Sequence, residues 1–198
     1  MLKKQDLKVK SILVSQPKPD SERSPYFDLA KKYKLKIDFR PFIHVEGITV
    51  QEFRKQRISI LEHSAVIFTS RNAVDHFFRM AEEMRVTVPE NMKYFCISES
   101  TAYYLQKYMV YRKRKIFHGK QRFADLLEIM KKHKQERFLL PSSDILKKEI
   151  PELMDKHGFH YSRAILYHTV WSDLSDLEHV YYDMLVFYSP GGIESLLK

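Results

Sequence analysis

Val66-Ile67-Phe68-Thr69-Ser70-Arg71-Asn72-Ala73-Val74 reads as a buried strand that ends at a hydroxyl and turns into a helix. The phrase returns as Leu185-Val186-Phe187-Tyr188-Ser189-Pro190-Gly191-Gly192-Ile193. A short apolar run bounded by turn-forming residues fits a strand buried on both faces, as in a parallel sheet. Serine and asparagine at its exit are the side chains that helix starts prefer. A helix start leaves backbone N–H groups unpaired, and its dipole favours negative charge there. Two such junctions, far apart in sequence, predict an anion-binding cleft fed by two lobes.

Around this phrase, apolar runs alternate with helical spacings nearly throughout. Extended segments are expected at Ser11–Ser15, Leu35–Pro41, Val66–Ser70, Lys93–Ile97, Lys115–Phe117, Arg137–Leu140, Tyr161–Val170 and Met184–Tyr188. Helices are expected at Pro25–Tyr33, Thr49–Leu61, Asn72–Met84, Ser100–Tyr108, Phe123–His133 and Ile145–Lys156, with a last one opening at Pro190. The alternation predicts an α/β fold of parallel sheets covered by helices. No glycine-rich linker marks a boundary, so the joints are placed in extended segments. Residues 1–38 with 172–198 would form a discontinuous α/β lobe and residues 45–164 a second one. Residues 39–44 and 165–171 would run side by side as a two-stranded hinge.

Composition narrows the partners. The 198 residues are 44% hydrophobic, enough for a packed core, and carry a net charge of +9. The excess favours a polyanionic partner, although it is spread thinly and is densest at Arg112-Lys113-Arg114-Lys115. That run lacks a base-stacking platform beyond Tyr111 and Phe117, so nucleic acid is not expected as a partner. One cysteine, Cys96, excludes an internal disulfide and points to a reducing, cytoplasmic setting. Residues 1–15 lack the apolar core of a signal peptide, and no run is long enough for a membrane helix. A monomer is expected.

Four junctions carry hydroxyls: Thr69/Ser70/Asn72, Ser98/Ser100/Thr101, Ser142/Ser143/Asp144 and Ser189. Each is either a routine helix cap or part of a ring of ligand contacts at the carboxyl ends of parallel strands. Tyr167, in Ile165-Leu166-Tyr167-His168-Thr169, could donate a hydrogen bond or proton at a cleft, or could simply be one of 12 tyrosines on an amphipathic strand. No dinucleotide, phosphate-loop or zinc motif occurs.

In order, Ile67-Phe68-Thr69-Ser70-Arg71-Asn72-Ala73-Val74, Phe95-Cys96-Ile97-Ser98-Glu99-Ser100-Thr101-Ala102 with Leu105, Ile165-Leu166-Tyr167-His168-Thr169 and Leu185-Val186-Phe187-Tyr188-Ser189-Pro190 resemble the uroporphyrinogen-III synthase family. The resemblance implies two α/β lobes joined by a two-stranded ladder, with a cleft between them. It implies a cofactor-independent lyase with no metal. The substrate would be hydroxymethylbilane, a polyanionic linear tetrapyrrole, cyclised with inversion of its last ring. Tyr167 matches the family's cleft tyrosine and Thr101 the threonine of its glycine-x-x-threonine-alanine phrase, so both are catalytic candidates. Ser70, Arg71, Asn72, Ser98, Ser100, Ser142, Ser189 and Gly191 become candidates for holding substrate carboxylates. Ser98 departs from the family's glycine, and Gln16 from an arginine common after the first strand. Family members also continue beyond the position of Lys198, so the discontinuous lobe is expected to be incomplete. These departures leave open a second reading, a non-catalytic two-lobed polyanion-binding module.

Overall fold

The computed structural model describes residues 8–21 and 23–197. Residues 1–7, part of the segment read above as lacking a signal-peptide core, lie outside the described residues, as do Glu22 and Lys198. The chain resolves into two compact units, Met1–His44 with Val170–Lys198 and Val45–Thr169.

The discontinuous unit holds a three-stranded parallel sheet in the order β2-β1-β9, from β1 (Ser11–Val14), β2 (Lys36–Phe39) and β9 (Met184–Val186). Helix α1 (Pro25–Tyr33) connects the first two strands and opens on Pro25, whose missing N–H is harmless in a first turn. It ends at Lys34, whose φ of 53° lets its N–H close onto Ala30 O. Tyr26 and Phe27 meet Phe39 edge-on. Helix α7 (Pro190–Leu196) follows β9, and Ser195 Oγ donates to Phe42 O inside this unit.

The contiguous unit is a doubly wound α/β layer. Its strands belong to a six-stranded sheet ordered β3-β8-β7-β4-β5-β6, from β3 (Ile43–Gly47), β4 (Ala65–Phe68), β5 (Lys93–Cys96), β6 (Ile116–His118), β7 (Phe138–Ser143) and β8 (Tyr161–Trp171). Strands β8, β7, β4, β5 and β6 are mutually parallel. Strand β3 runs antiparallel to β8, because Ser172 N donates to Phe42 O while Ile48 N donates to Leu166 O.

Alternation along the strands sorts the core onto two faces. Val66 and Phe68 pack with Tyr94, Cys96 and Leu139 against α3 (Arg71–Glu83), which contributes Val74, Phe77 and Met80. Helices α2 (Val50–Lys55) and α4 (Glu99–Tyr104) add Phe53 and Ala102 to that side. Ala65, Ile67, Phe95, Phe138 and Leu140 face α5 (Phe123–Met130) and α6 (Glu149–Lys156) instead. Every residue of β4 is buried, the signature of a central parallel strand.

Several elements differ from expectation. The helical spacing over Thr49–Leu61 resolves into α2 and a separate 3-10 turn at Ile60–Glu62, divided by Arg57 at φ 55°. Strand β7 runs on through Ser142 and Ser143, so these serines are strand residues and do not cap a helix. The expected helix at Ile145–Lys156 starts only at Glu149, because Asp144 Oδ1 accepts from both Ile145 N and Thr169 N and holds residues 144–148 as a loop. The later start puts Pro151 in the first turn, where no intrahelical N–H is required. Residues 40–42 separate β2 from β3.

Candidate functional site

The chain threads β4, β5 and β6 outward in one direction, then returns to place β7 on the other side of β4. The loops after β4 and β7 therefore leave the sheet in opposite directions, and a crevice opens at their carboxyl ends. A cavity of about 520 Å³ occupies this place. It is lined by Thr69 and Ser70 after β4, Ile97 after β5, Gln121 to Ala124 after β6, Ile145 to Lys147, Glu149 and Ile150 after β7, and Tyr167 of β8.

Ser70 is an N-cap: in extended conformation, its Oγ accepts from Ala73 N at 3.1 Å. The same oxygen lies 3.3 Å from the hydroxyl of Tyr167. Tyr167 is 7% exposed, and its ring stacks on His76 at 4.7 Å between centroids. His76 Nδ1 accepts from Arg79 Nε, and Arg79 Nη2 also donates to Ile48 O and reaches Leu166 O. Gly47 leaves room for this guanidinium, since a Cβ there would sit 2.6 Å from Arg79 Nη2. Burial and the nearby Arg79 charge hold His76 below its usual pKa, hence neutral near pH 7. Burial pushes the Tyr167 phenol above 10, partly offset by Ser70, so it is protonated throughout the neutral range.

Of the other candidates, Arg71 stacks over the Tyr104 ring at 5.2 Å and Asn72 is exposed; neither lines the cavity. Ser98 caps α4 by accepting from Thr101 N. Its hydroxyl lies 3.0 Å from Ser100 Oγ and 3.1 Å from Thr101 Oγ1, so the three hydroxyls satisfy one another. Thr101 is 4% exposed and lies outside the cavity lining. Ser142 is 1% exposed: its Oγ donates to Ser143 O and accepts from Arg163 Nε. Ser189 caps α7 through Gly192 N, and both it and Gly191 belong to the discontinuous unit.

Gln121, Arg122 and Lys147 line the cavity, although the sequence reading does not single them out. The available signal is Gly119, one of only 5 glycines in the chain, at the strand-to-helix turn that carries Gln121 and Arg122. Near Lys147, Arg163 donates to Ser143 O at 2.8 Å and Asp144 O at 2.7 Å, fixing the exit of β7. Although burial pushes the Asp144 carboxyl up, hydrogen bonds from Thr169 N, His168 and Ile145 N hold it below its usual value. Among the described residues no cluster of three or more His, Cys, Asp or Glu side chains could hold a metal ion, and no helix is long and apolar enough to cross a membrane.

The structure is similar to a mutant uroporphyrinogen III synthase of the extremely thermophilic bacterium Thermus thermophilus, at 13% identity and a TM-score of 0.59, over 82% of this chain and 64% of that one. It also resembles the uroporphyrinogen-III synthetase of Helicobacter pylori 26695, at 16% identity and 0.59, over 95% of this chain and 77% of that one. A further Thermus thermophilus uroporphyrinogen III synthase matches at 15% identity and 0.52, over 94% and 76%. The chain thus spans just under two thirds of the first of these proteins, and the likenesses are in fold. No curated protein matches the sequence significantly. The family model described as uroporphyrinogen-III synthase HemD matches residues 25–198, which is most of the chain, and on that match the chain belongs to the uroporphyrinogen-III synthase family.

Proposed function

We propose that this chain is a uroporphyrinogen-III synthase, a cofactor-independent lyase. It would close hydroxymethylbilane to uroporphyrinogen III while inverting the terminal ring. The observation that carries the reading is Tyr167: a protonated phenol, paired with a capping serine, on a cavity at the point where the strand order reverses. Tyr167 would donate a hydrogen bond or proton to the departing terminal hydroxyl of the bilane, which leaves as water. The azafulvene so formed is attacked by the substituted carbon of the last ring, giving a spiro pyrrolenine that fragments and recloses inverted.

The protein's work is then to fold the chain of pyrroles so that inverted closure outruns spontaneous closure, a matter of positioning. The Ser70 junction supports binding of a carboxylate, because the start of α3 presents backbone N–H groups beside the cavity. The basic balance of the chain suits a substrate bearing acetate and propionate groups. The buried Cys96 thiol suits a reducing cytoplasm. The working unit in this reading is a monomer, with neither nucleic acid nor membrane as partner.

The deciding experiment generates hydroxymethylbilane in situ, oxidises the products and separates type I from type III porphyrins. Type III product in proportion to added protein is expected. Type I alone would refute the synthase and leave a polyanion-binding module of the same fold.

A further inference from the structure

The cavity lining carries two basic residues, Arg122 and Lys147, and one residue in a strained backbone conformation, Gln121. Gln121 has a φ of 83°. The other non-glycine residues with positive φ among the described residues, Lys34, Arg57 and Arg85, all follow helices, where a left-handed residue is the ordinary way to stop. Gln121 instead precedes α5, so that explanation does not apply. The turn has no freedom to relax. Gly119 N donates to Cys96 O at 3.0 Å and Gln121 N to Ile97 O at 2.9 Å. A Cβ on Gly119 would lie 2.9 Å from Leu126 N and 3.2 Å from Ile97 O, so the turn is pressed between the exit of β5 and the body of α5.

Glycine at 121 would adopt this backbone without strain. A glutamine in this conformation calls for a reason in its side chain, and residue 121 lines the cavity beside Arg122. Arg122 is well exposed, and its ion pair is a 3.6 Å contact with Asp125 of its own helix. From the loop after β7 comes Lys147, which makes no ion pair among the described residues. Glu149 also lines the cavity, but it sits in the first turn of α6, where the helix dipole accommodates it. Amide, guanidinium and ammonium together offer the donor set that carboxylates take: a planar fork, a neutral donor and a point charge.

We propose that Gln121, Arg122 and Lys147 form a side-chain receptor for carboxylates of the ligand, on the same cavity as the Tyr167–Ser70 pair, and that the strain at Gln121 serves to present it. The inference rests on the synthase reading for the identity of the ligand, a pyrrolic polycarboxylate. It adds that recognition is by side chains of the contiguous unit as well as by helix starts.

The probe is uroporphyrin, titrated by fluorescence against the unaltered chain and against Gln121→Gly, Gln121→Asn, Arg122→Gln and Lys147→Gln, with KM and kcat measured in parallel. Arg122→Gln and Lys147→Gln are expected to weaken binding about tenfold each and to flatten its salt dependence. Gln121→Gly is expected to raise the melting temperature by about 2–4 °C while weakening binding and raising KM at unchanged kcat. Gln121→Asn, which tolerates left-handed backbone and keeps an amide, should recover part of the affinity.

A turn with only a structural role would give a more stable Gln121→Gly chain with unaltered Kd and KM, and would overturn the receptor. Absence of uroporphyrin binding by the unaltered chain would also overturn it. Binding that the variants weaken, in a chain that makes no type III product, would keep the receptor and reject the synthase. Type III synthesis with Kd and KM indifferent to all four variants would do the reverse.

Discussion

The state of the Tyr167 hydroxyl is set by what surrounds its ring. A phenol that is 7% exposed and stacked on an imidazole has little water to stabilise its anion, so it stays protonated near pH 7. Tyr167→Phe keeps the stack and removes only the contact with Ser70. Turnover should fall on the order of a hundredfold with the melting temperature nearly unchanged. Because burial raises the phenol above its usual value, kcat of the unaltered chain should show no alkaline decline from this group across the neutral range.

Buried histidines set a second expectation. His63 is 7% exposed, with Nδ1 donating to Ser59 O, and burial lowers its pKa as it does that of His76. The unfolded chain therefore binds protons more readily at these sites, so their stabilisation is whole above pH 6.5 and erodes below it. For Asp75 and Asp144 burial raises the pKa, but hydrogen bonds outweigh it and leave both carboxyls below 3.8; their contribution is lost only at still lower pH. Melting temperature followed from pH 8 to pH 3 should fall in two stages, and a flat profile down to pH 5 would contradict the histidine contribution. At this scale Ser70 is legible, because a hydroxyl at a strand exit is visible as a pattern, whereas Tyr167, inside β8, is singled out only by the family resemblance. The sequence does not expose Gln121, whose importance lies in a φ angle, or Lys147, which reaches the cavity only through a loop shaped by Asp144.

Elements are legible where local and tertiary preferences agree. Pro25–Tyr33 carries its own start signal, and the all-apolar β4 can only be central. Three capping serines, Ser70, Ser98 and Ser189, share one extended geometry and one accepted bond three residues on, which is why the repeated phrase is visible at all. The exit of β7 departs from its sequence pattern because a long-range partner decides it. Arg163, on the neighbouring strand, supplies three hydrogen bonds to Ser142 Oγ, Ser143 O and Asp144 O, and these extend the strand at the expense of the helix. Arg163→Met should cost about 2 kcal/mol, since it removes the donor to buried Ser142 Oγ and one of two donors to Ser143 O. It should also raise KM through the displaced 144–148 loop. Urea denaturation and initial rates would check the two effects separately.

Across the whole molecule, the two units are strung differently along the chain. The contiguous unit comprises Val45–Thr169 without interruption, whereas the discontinuous one is drawn from both sides of it. Strand β1 is the middle of its sheet, but only β2 lies close by in sequence; β9 pairs Met184 with Ile12 and Val186 with Val14. Asp183 Oδ2 accepts from Lys10 N and Ser11 N, closing a loop of more than 170 residues. Such closure is slow compared with pairing inside the contiguous unit. Pulsed hydrogen exchange during refolding should therefore protect amides of β4, β5 and β7 before those of β9.

On the ribosome the order is stricter still. Ile12, Leu13 and Val14 emerge early and present one open apolar edge until residue 186 has been made. Lys8 and Lys10, just before β1, place like charge next to this edge, the usual device that discourages exposed edges from pairing with one another. Replacing those two lysines should lower the yield of soluble chain more than it alters the finished molecule.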